Sequence, residues 1–183
     1  MQKASETHSS RLVDELEHLA GYDPRRDAGE RYHYDPEAAE HAVRFFAECL
    51  THVVGEFSDK RFELLPFQAA LVSTMFGWKD RETGLRRYRS CWLEIPRKNG
   101  KTTLAAGLAL YLLYCDGEDG AQVVSAAADR EQAALCFETA KGMVEKDDML
   151  SGASTVYRRA ITFGATRSTY RPVSADAYTK HGL

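Results

Sequence analysis

Residues 90–103 read Ser-Cys-Trp-Leu-Glu-Ile-Pro-Arg-Lys-Asn-Gly-Lys-Thr-Thr, and this stretch decides the fold. Its first part, residues 90–95, predicts a short strand. Residues 102–114 are rich in alanine and leucine and predict a helix, because these residues are strong helix formers. A loop that contains glycine and joins a strand to a helix is an arrangement that holds phosphate groups.

The tripeptide Gly100-Lys101-Thr102 has the residue types of the second half of a Walker A phosphate loop. Gly100 allows the backbone to turn its N–H groups inward around phosphate oxygens. Lys101 supplies a mobile positive charge for the β- and γ-phosphates, and the hydroxyl of Thr102 can ligate Mg²⁺. The first glycine of the usual pattern is absent, because Ile95 stands in its place.

A second interpretation of the same residues is a β-hairpin. Asn99-Gly100 is the strongest two-residue hairpin signal, and it would make the segment a turn between two strands. The helix-forming residues that follow favour the phosphate loop over the hairpin.

The flanking sequence predicts an α/β fold. Asp35-Pro36-Glu37 is a helix start, with an apolar face that continues to about Gly55. Further helices are predicted over residues 66–76 and after Asp129, a buried strand over 121–126, and a hairpin from 160–163 and 168–173. Strand–helix–strand–helix order from residue 90 onward predicts a mostly parallel sheet flanked by helices. Residues 1–34 are polar, with one short helical pattern around Leu12, and indicate an arm.

Composition excludes several classes of protein. The chain has 183 residues and a net charge of -3, so its overall charge does not indicate nucleic-acid binding. The four cysteines are scattered without a Cys-x-x-Cys pair, which indicates reduced thiols in apolar positions and no zinc knuckle or disulfide framework. The N-terminus lacks an apolar targeting segment, and residues 104–113 are too short to span a bilayer, so we expect a soluble intracellular protein.

Four segments together resemble the large terminase family of tailed phages. The loop at residues 95–102 looks like the family's deviant Walker A, which carries basic residues where glycines usually stand. Leu65-Pro66-Phe67-Gln68 is similar to its adenine-binding motif. Residues 124–133 resemble the strand-to-helix step after the phosphate-loop helix, and residues 173–176 with Gly182-Leu183 resemble the segment before the Walker B strand. The resemblance covers residues 60–183.

The resemblance implies a site for ATP and Mg²⁺. Gln68 would read the adenine edge through its amide, although a polar residue making local bonds at a helix start is the alternative. Arg97 would stabilise charge beside the γ-phosphate, with a solvated loop cation as the alternative. The catalytic candidates are Arg97 and Lys101, Thr102 is the metal ligand, and the nucleotide-binding residues are Gln68, Pro96, Arg97, Lys98, Asn99, Gly100, Lys101, Thr102 and Thr103.

A run of arginines before the loop is a candidate for nucleic-acid binding. Arg86, Arg87 and Arg89 extend the basic run of the loop, and they either face phosphates or form an ordinary solvated loop. Trp78 and Trp92 are expected to pack in the core and not to stack on bases.

The hydrolytic half of such an ATPase is not found in these residues. Walker B needs an apolar strand that ends in an aspartate, and usually a glutamate that activates water. No such strand is found, so we expect the sheet to be incomplete at the C-terminus and the chain to bind ATP without useful hydrolysis. The predicted organisation is a helical arm over residues 1–59 and a partial ATPase domain over residues 60–183.

The family resemblance also implies a place of action and partners. It implies packaging of double-stranded DNA in the cytoplasm of a bacterial host, with a portal protein, a small terminase subunit and a homo-oligomeric ring, and no membrane. A fragment of another P-loop enzyme, a kinase or a helicase-like protein, is one alternative. An inert nucleotide-binding remnant is the other.

Overall fold

The structure is a computed structural model that describes residues 25–127 and 130–174. These residues form two compact units, one from residues 25–47 and 63–94 and the other from residues 48–62 and from residue 95 onward. The helix expected around Leu12, the cap Asp129 and the segment from Ala175 lie outside the described residues. The predicted division at residue 60 into arm and ATPase domain stays a prediction.

The first unit combines a two-stranded sheet with helices. Strand β1 (Tyr32–Tyr34) pairs antiparallel with β2 (Trp78–Asp80). Helix α1 (Pro36–Cys49) follows β1, and helix α2 (Pro66–Gly77) leads into β2. The helices contact each other through small side chains, since Val43 packs on Ala69 and Ala70 and a Cβ at Gly77 would lie 2.9 Å from the Cβ of Ala39.

Both helix starts in this unit were predicted correctly. The Asp35 carboxylate accepts a hydrogen bond from the N–H of Ala38 at 3.0 Å, which satisfies one of the free donors of the first turn of α1. Proline occupies the first position of α1 and of α2.

The predicted end of α1 near Gly55 is wrong, because the helix stops at Cys49. After Cys49 the backbone pairs with a returning segment. The N–H of Phe62 donates to the carbonyl of Leu50 at 2.9 Å, and the N–H of His52 donates to the carbonyl of Lys60 at 2.9 Å. These hydrogen bonds to a distant segment replace the hydrogen bonds of a helix. The apolar periodicity beyond residue 49 did not predict this pairing.

The second unit is a mixed sheet with helices packed on it. Its four strands, in spatial order β3-β6-β5-β4, are β3 (Gln122–Ala127), β6 (Ser168–Ser174), β5 (Ile161–Phe163) and β4 (Ser154–Val156). β3 and β6 are parallel, while the pairs β6–β5 and β5–β4 are antiparallel. The α/β class and the C-terminal hairpin are therefore confirmed, and the sheet is mixed where a mostly parallel one was expected.

Three helices belong to the second unit: α3 (Lys101–Tyr114), α4 (Arg130–Glu145) and α5 (Asp148–Ala153). Its core lies between α3, α4 and one face of the sheet. Phe137 of α4 meets Tyr170 of β6 edge to face, with ring centroids 5.4 Å apart, and Leu104, Leu110 and Ile161 are fully buried.

Two strand predictions were wrong. Residues 90–95 form no strand, because no strand in the described part of the chain pairs with them, and a strand needs a neighbour for its backbone hydrogen bonds. Trp92 is consequently 92% exposed and not in the core, whereas Trp78 is buried as expected. Strand β3 is not buried as predicted, because its side chains alternate between exposed and partly exposed. It pairs with a neighbouring strand on one edge only, and no described residue covers its outward side chains.

The four cysteines are free thiols. Cys49, Cys115 and Cys136 are partly buried, but Cys91 is exposed and does not lie in the apolar position expected for it. It belongs to the same unpaired segment as Trp92. No helix in the described part of the chain is long and apolar enough to cross a membrane.

Candidate functional site

The predicted phosphate loop leads into a helix and not into a second strand. Helix α3 begins at Lys101, and the N–H of Leu104 donates to the carbonyl of Gly100 at 2.9 Å. Gly100 has φ +71°, the left-handed conformation that glycine adopts without steric cost. The hairpin interpretation of Asn99-Gly100 is therefore wrong.

The side chain of Lys101 folds back over the loop that precedes it. Its ammonium group donates hydrogen bonds to the carbonyl of Pro96, at 3.0 Å, and to the carbonyl of Ile95. The positive charge thus lies inside the curve of the loop, at the start of the helix. An anion that enters this curve would meet both the ammonium group and the free N–H groups of the first turn of α3.

Asn99 holds the loop in its curved shape. Its side-chain amide donates to the carbonyl of Pro96 at 3.2 Å and to the carbonyl of Arg97 at 3.3 Å. Sequence reasoning placed Asn99 among the nucleotide-binding residues and did not foresee this role. The preference of asparagine for bonding nearby backbone groups in turns was the available signal.

The other loop residues are open to solvent. Pro96, Arg97, Lys98 and Thr102 are exposed, and Thr103 is partly exposed. Lys98 adopts a left-handed conformation with φ +68°, which is uncommon for a residue other than glycine. The loop therefore offers two cations, Arg97 and Lys98, and the hydroxyl of Thr102 beside the ammonium group of Lys101.

Gln68 lies in the first unit and makes the local bond that sequence reasoning gave as its alternative role. Its side-chain oxygen accepts a hydrogen bond from the N–H of Leu65 at 3.0 Å, three residues back, and the residue is 3% exposed. This bond caps α2 and fixes the direction of the side chain. Whether its amide also reads an adenine stays a prediction.

Arg86 and Arg87 do not form a simple solvated loop. The guanidinium of Arg87 lies 4.9 Å from the ring centre of Tyr32 and 5.5 Å from that of Trp78, and the guanidinium of Arg86 lies 5.3 Å from the ring centre of Phe76. Cation–π contacts of this kind hold both side chains against the first unit. Arg89 is exposed.

The site residues provide part of what a bound Mg²⁺ requires. Mg²⁺ takes oxygen ligands, and the hydroxyl of Thr102 is such a ligand at the start of α3. Within the residues that the structure describes, no group of three histidine, cysteine, aspartate or glutamate side chains could hold a metal ion. The hydroxyl of Thr102 is thus one protein oxygen that a metal bound to nucleotide phosphates could take as a ligand.

Comparison with known proteins identifies the family. A model of the family described as "Terminase large subunit, ATPase domain" matches residues 66–182. The chain belongs to this family. The match begins at the start of α2 and includes the phosphate loop, so the kinase, helicase-like and inert-remnant alternatives are not favoured.

The terminase assignment agrees with two similar proteins. The terminase large subunit of Enterobacteria phage HK97 is 37% identical over 147 residues, which cover 79% of this chain and 28% of that protein. The crystal structure of the HK97 large terminase matches with a TM-score of 0.65 and 28% identity, over 79% of this chain and 29% of that one. The chain thus spans less than a third of the length of these terminases.

Proposed function

We propose that this chain is the nucleotide-binding portion of a terminase ATPase, which binds ATP with Mg²⁺ at the loop of residues 95–103. The observation that carries the proposal is the ammonium group of Lys101, held against the carbonyls of Ile95 and Pro96 at the start of α3. This cation and the first-turn N–H groups point toward the space that a phosphate chain would occupy.

Within this proposal each loop residue has one task. Lys101 binds the β- and γ-phosphates, and Thr102 supplies an oxygen to Mg²⁺. The backbone of Pro96, Lys98, Gly100 and Thr103 lines the phosphates. Bound Mg²⁺ would neutralise phosphate charge, as in other P-loop enzymes.

Arg97 is proposed to contact the γ-phosphate. It is exposed, and its guanidinium forms no hydrogen bond or ion pair with a described residue, so it is available to a ligand. A guanidinium at this phosphate would favour ATP over ADP, because ADP lacks the charge that it pairs with. Arg97→Ala should therefore weaken MgATP binding by more than MgADP binding.

In the whole protein, we propose that this module serves the packaging of double-stranded DNA in the cytoplasm of a bacterial host. Membership of the terminase family supports this role. A portal protein, a small terminase subunit and a ring of copies are partners that family resemblance alone implies.

The direct test is calorimetric titration of the chain with MgATP, with Lys101→Ala as the decisive variant. Loss of the ammonium group should weaken binding by at least about tenfold, in line with the strength of charge-assisted hydrogen bonds to phosphate. Lys141→Ala is the matched control, because Lys141 is a helix-surface lysine paired with Glu145 at 3.8 Å. Equal affinities of both variants and the unmodified chain would refute the proposed site.

A further inference from the structure

The segment from Ser154 to Ser174 differs in charge from the rest of the chain. It contains four arginines and no aspartate or glutamate, in a chain with a net charge of -3. The four are Arg158, Arg159, Arg167 and Arg171. All are exposed, and none of their guanidinium groups forms an ion pair or hydrogen bond with a described residue. A local cationic surface therefore exists that the net charge conceals.

Three of these arginines meet at one corner of the sheet of the second unit. Arg158 and Arg159 lie in the turn between β4 and β5, which the N–H of Tyr157 closes by donating to the carbonyl of Ala160 at 2.8 Å. Ile161 pairs with Tyr170, so Arg171 lies one step further along β6, toward that turn. Arg167 lies in the turn at the opposite end of β5.

The side chain of Arg171 points away from the helices. Its neighbours Tyr170 and Pro172 are buried, and Tyr170 packs on Phe137 of α4. Because successive residues of a strand point to opposite faces, Arg171 lies on the outer face of the sheet. Val124 pairs with Arg171 and is also exposed, so in the described part of the chain nothing covers this face.

A row of polar side chains crosses the same outer face. Register places Gln122 beside Thr169, Thr169 beside Thr162, and Thr162 beside Thr155. Opposed residues on neighbouring strands share a face, so these four form one line across all four strands. Hydroxyl and amide groups are typical donors to phosphate oxygens, and the strands of this face carry no carboxylate that would repel an anion.

We propose that this outer face, with the corner of Arg158, Arg159 and Arg171, binds the phosphate backbone of double-stranded DNA without reading its sequence. The choice of DNA as the partner rests on the proposed terminase function. The face itself is separate from the phosphate loop in sequence and in chemistry. Tyr157, exposed in the same turn, adds a further polar donor.

The dimensions of the face suit a duplex. Four strands at about 4.8 Å spacing make a face about 14 Å wide. A duplex carries one phosphate charge for about every 1.7 Å of its axis, so about eight charges lie along this length, divided between the side that faces the protein and the side that faces away. Each arginine of the corner can therefore meet its own phosphate. The side chains that the register places on this face are mostly polar, with Val124, Ala126 and Val173 as apolar exceptions.

The test measures binding of the chain to a short fluorescent duplex of mixed sequence at several salt concentrations. We expect Arg158→Gln/Arg159→Gln/Arg171→Gln to weaken binding by at least about tenfold at ~50 mM salt. The slope of log Kd against log salt should fall by about 0.9 for each arginine–phosphate pair that is removed, or about 2.7 for three. The corresponding lysine substitutions should keep most of the slope, because they keep the charge.

The matched control removes two exposed arginines of the other unit. Arg158→Gln/Arg159→Gln is compared with Arg25→Gln/Arg81→Gln, which makes the same change in net charge. Loss of DNA affinity in the first pair alone supports the proposal. Equal losses in both pairs, or no loss in either, would overturn it, as would a chain that binds no duplex.

A second measurement separates this proposal from the proposed function. Each variant is titrated with MgATP as well as with DNA. The arginine variants should bind MgATP like the unmodified chain, and Lys101→Ala should lose MgATP but keep the salt slope for DNA. Loss of MgATP binding in the arginine variants would show damage to the fold, and would overturn the assignment of two separate sites.

Discussion

Asn99 shows how one side chain shapes the phosphate loop. It donates to the carbonyls of Pro96 and Arg97, and so holds the loop curved around the place where Lys101 rests. Both bonds join residues of the loop itself. The loop therefore does not need to order itself when phosphate arrives, which lowers the entropic cost of binding.

Asn99→Ala should weaken MgATP and MgADP binding alike, by at least about fivefold, because two hydrogen bonds that each contribute about 0.5–1.5 kcal/mol are lost. Asn99→Asp should weaken both further, because an ionised carboxylate cannot donate to the two carbonyls and repels phosphate. Calorimetric titration measures both effects, and Gln122→Ala, an exposed amide on β3, is the control. Unchanged affinity in Asn99→Asp would show that the two hydrogen bonds do not organise the site.

At the scale of the element, the end of β2 in the first unit depends on one buried carboxylate. Asp80 ends β2, and its side chain is 8% exposed. It accepts hydrogen bonds from the Arg31 guanidinium at 2.7 Å and from the N–H groups of Glu82 and Thr83 at 3.0 and 3.1 Å. The bond from Arg31, followed by that from Thr83, lowers the pKa of Asp80 from 3.8 to about 2.

The lowered pKa of Asp80 predicts a loss of stability in acid. The ionised carboxylate stabilises the folded chain above the ordinary pKa of aspartate, and this contribution disappears as the pH falls from about 4 through about 2. Thermal unfolding across this range should show a smaller acid-dependent fall in Tm for Asp80→Asn than for the unmodified chain. Identical pH profiles would show that Asp80 is not coupled to folding.

Helix α4 carries a glycine where another element comes close. A Cβ at Gly142 would lie 2.6 Å from Cγ1 and 3.0 Å from Cγ2 of Val53, a residue of the segment that follows α1 in sequence. That segment also contacts the two residues that follow α4, through an ion pair of Asp59 with Lys146 and one of Arg61 with Asp147 at 3.5 Å. Gly142 thus permits the contact at some cost in helix propensity.

Gly142→Ala should lower the free energy of unfolding by about 1–3 kcal/mol through overpacking. The higher helix propensity of alanine should offset about 1 kcal/mol of this loss. Urea unfolding measures the change. Val53→Ala in the same chain should remove the clash, so the double variant should be more stable than the two single effects predict. A Gly142→Ala chain more stable than the original would contradict the observed close contact.

At the scale of the whole molecule, we predict nucleotide binding without useful hydrolysis. In the described residues no strand is followed directly by the aspartate and glutamate that a P-loop ATPase uses for Mg²⁺ and water. Phosphate release from MgATP by the purified chain should match that of Lys101→Ala, while calorimetry shows that only the unmodified chain binds. Turnover that Lys101→Ala abolishes would contradict this prediction.

The sheet of the second unit has an unpaired edge. In the described part of the chain β3 pairs only with β6, and the segment of residues 90–95 pairs with no strand. An unpaired strand edge and an exposed Trp92 offer backbone and apolar surface to other chains. Within the described residues, β3 is one edge of this sheet and β4 is the other.

Local signals in the sequence determined much of this protein. Some features depend only on residues that are neighbours in sequence, so a single sequence is enough to predict them. These are the caps of α1 and α2, the helix after Gly100, and the hairpin of β5 and β6. The order of motifs sufficed to indicate the terminase family. The helix after Gly100 was predicted for the same reason, since a loop and the helix after it are contiguous.

Only the tertiary structure decided the features that need distant partners. These are the end of α1 at Cys49, the absence of a strand at residues 90–95, the position of β3 at an edge, and the cationic corner formed by one turn and a strand. Hydrogen bonds between strands, and the register that brings Arg171 toward Arg158 and Arg159, join residues far apart in sequence. No local pattern records such pairings, because their energy depends on which segments meet and not on the composition of either one.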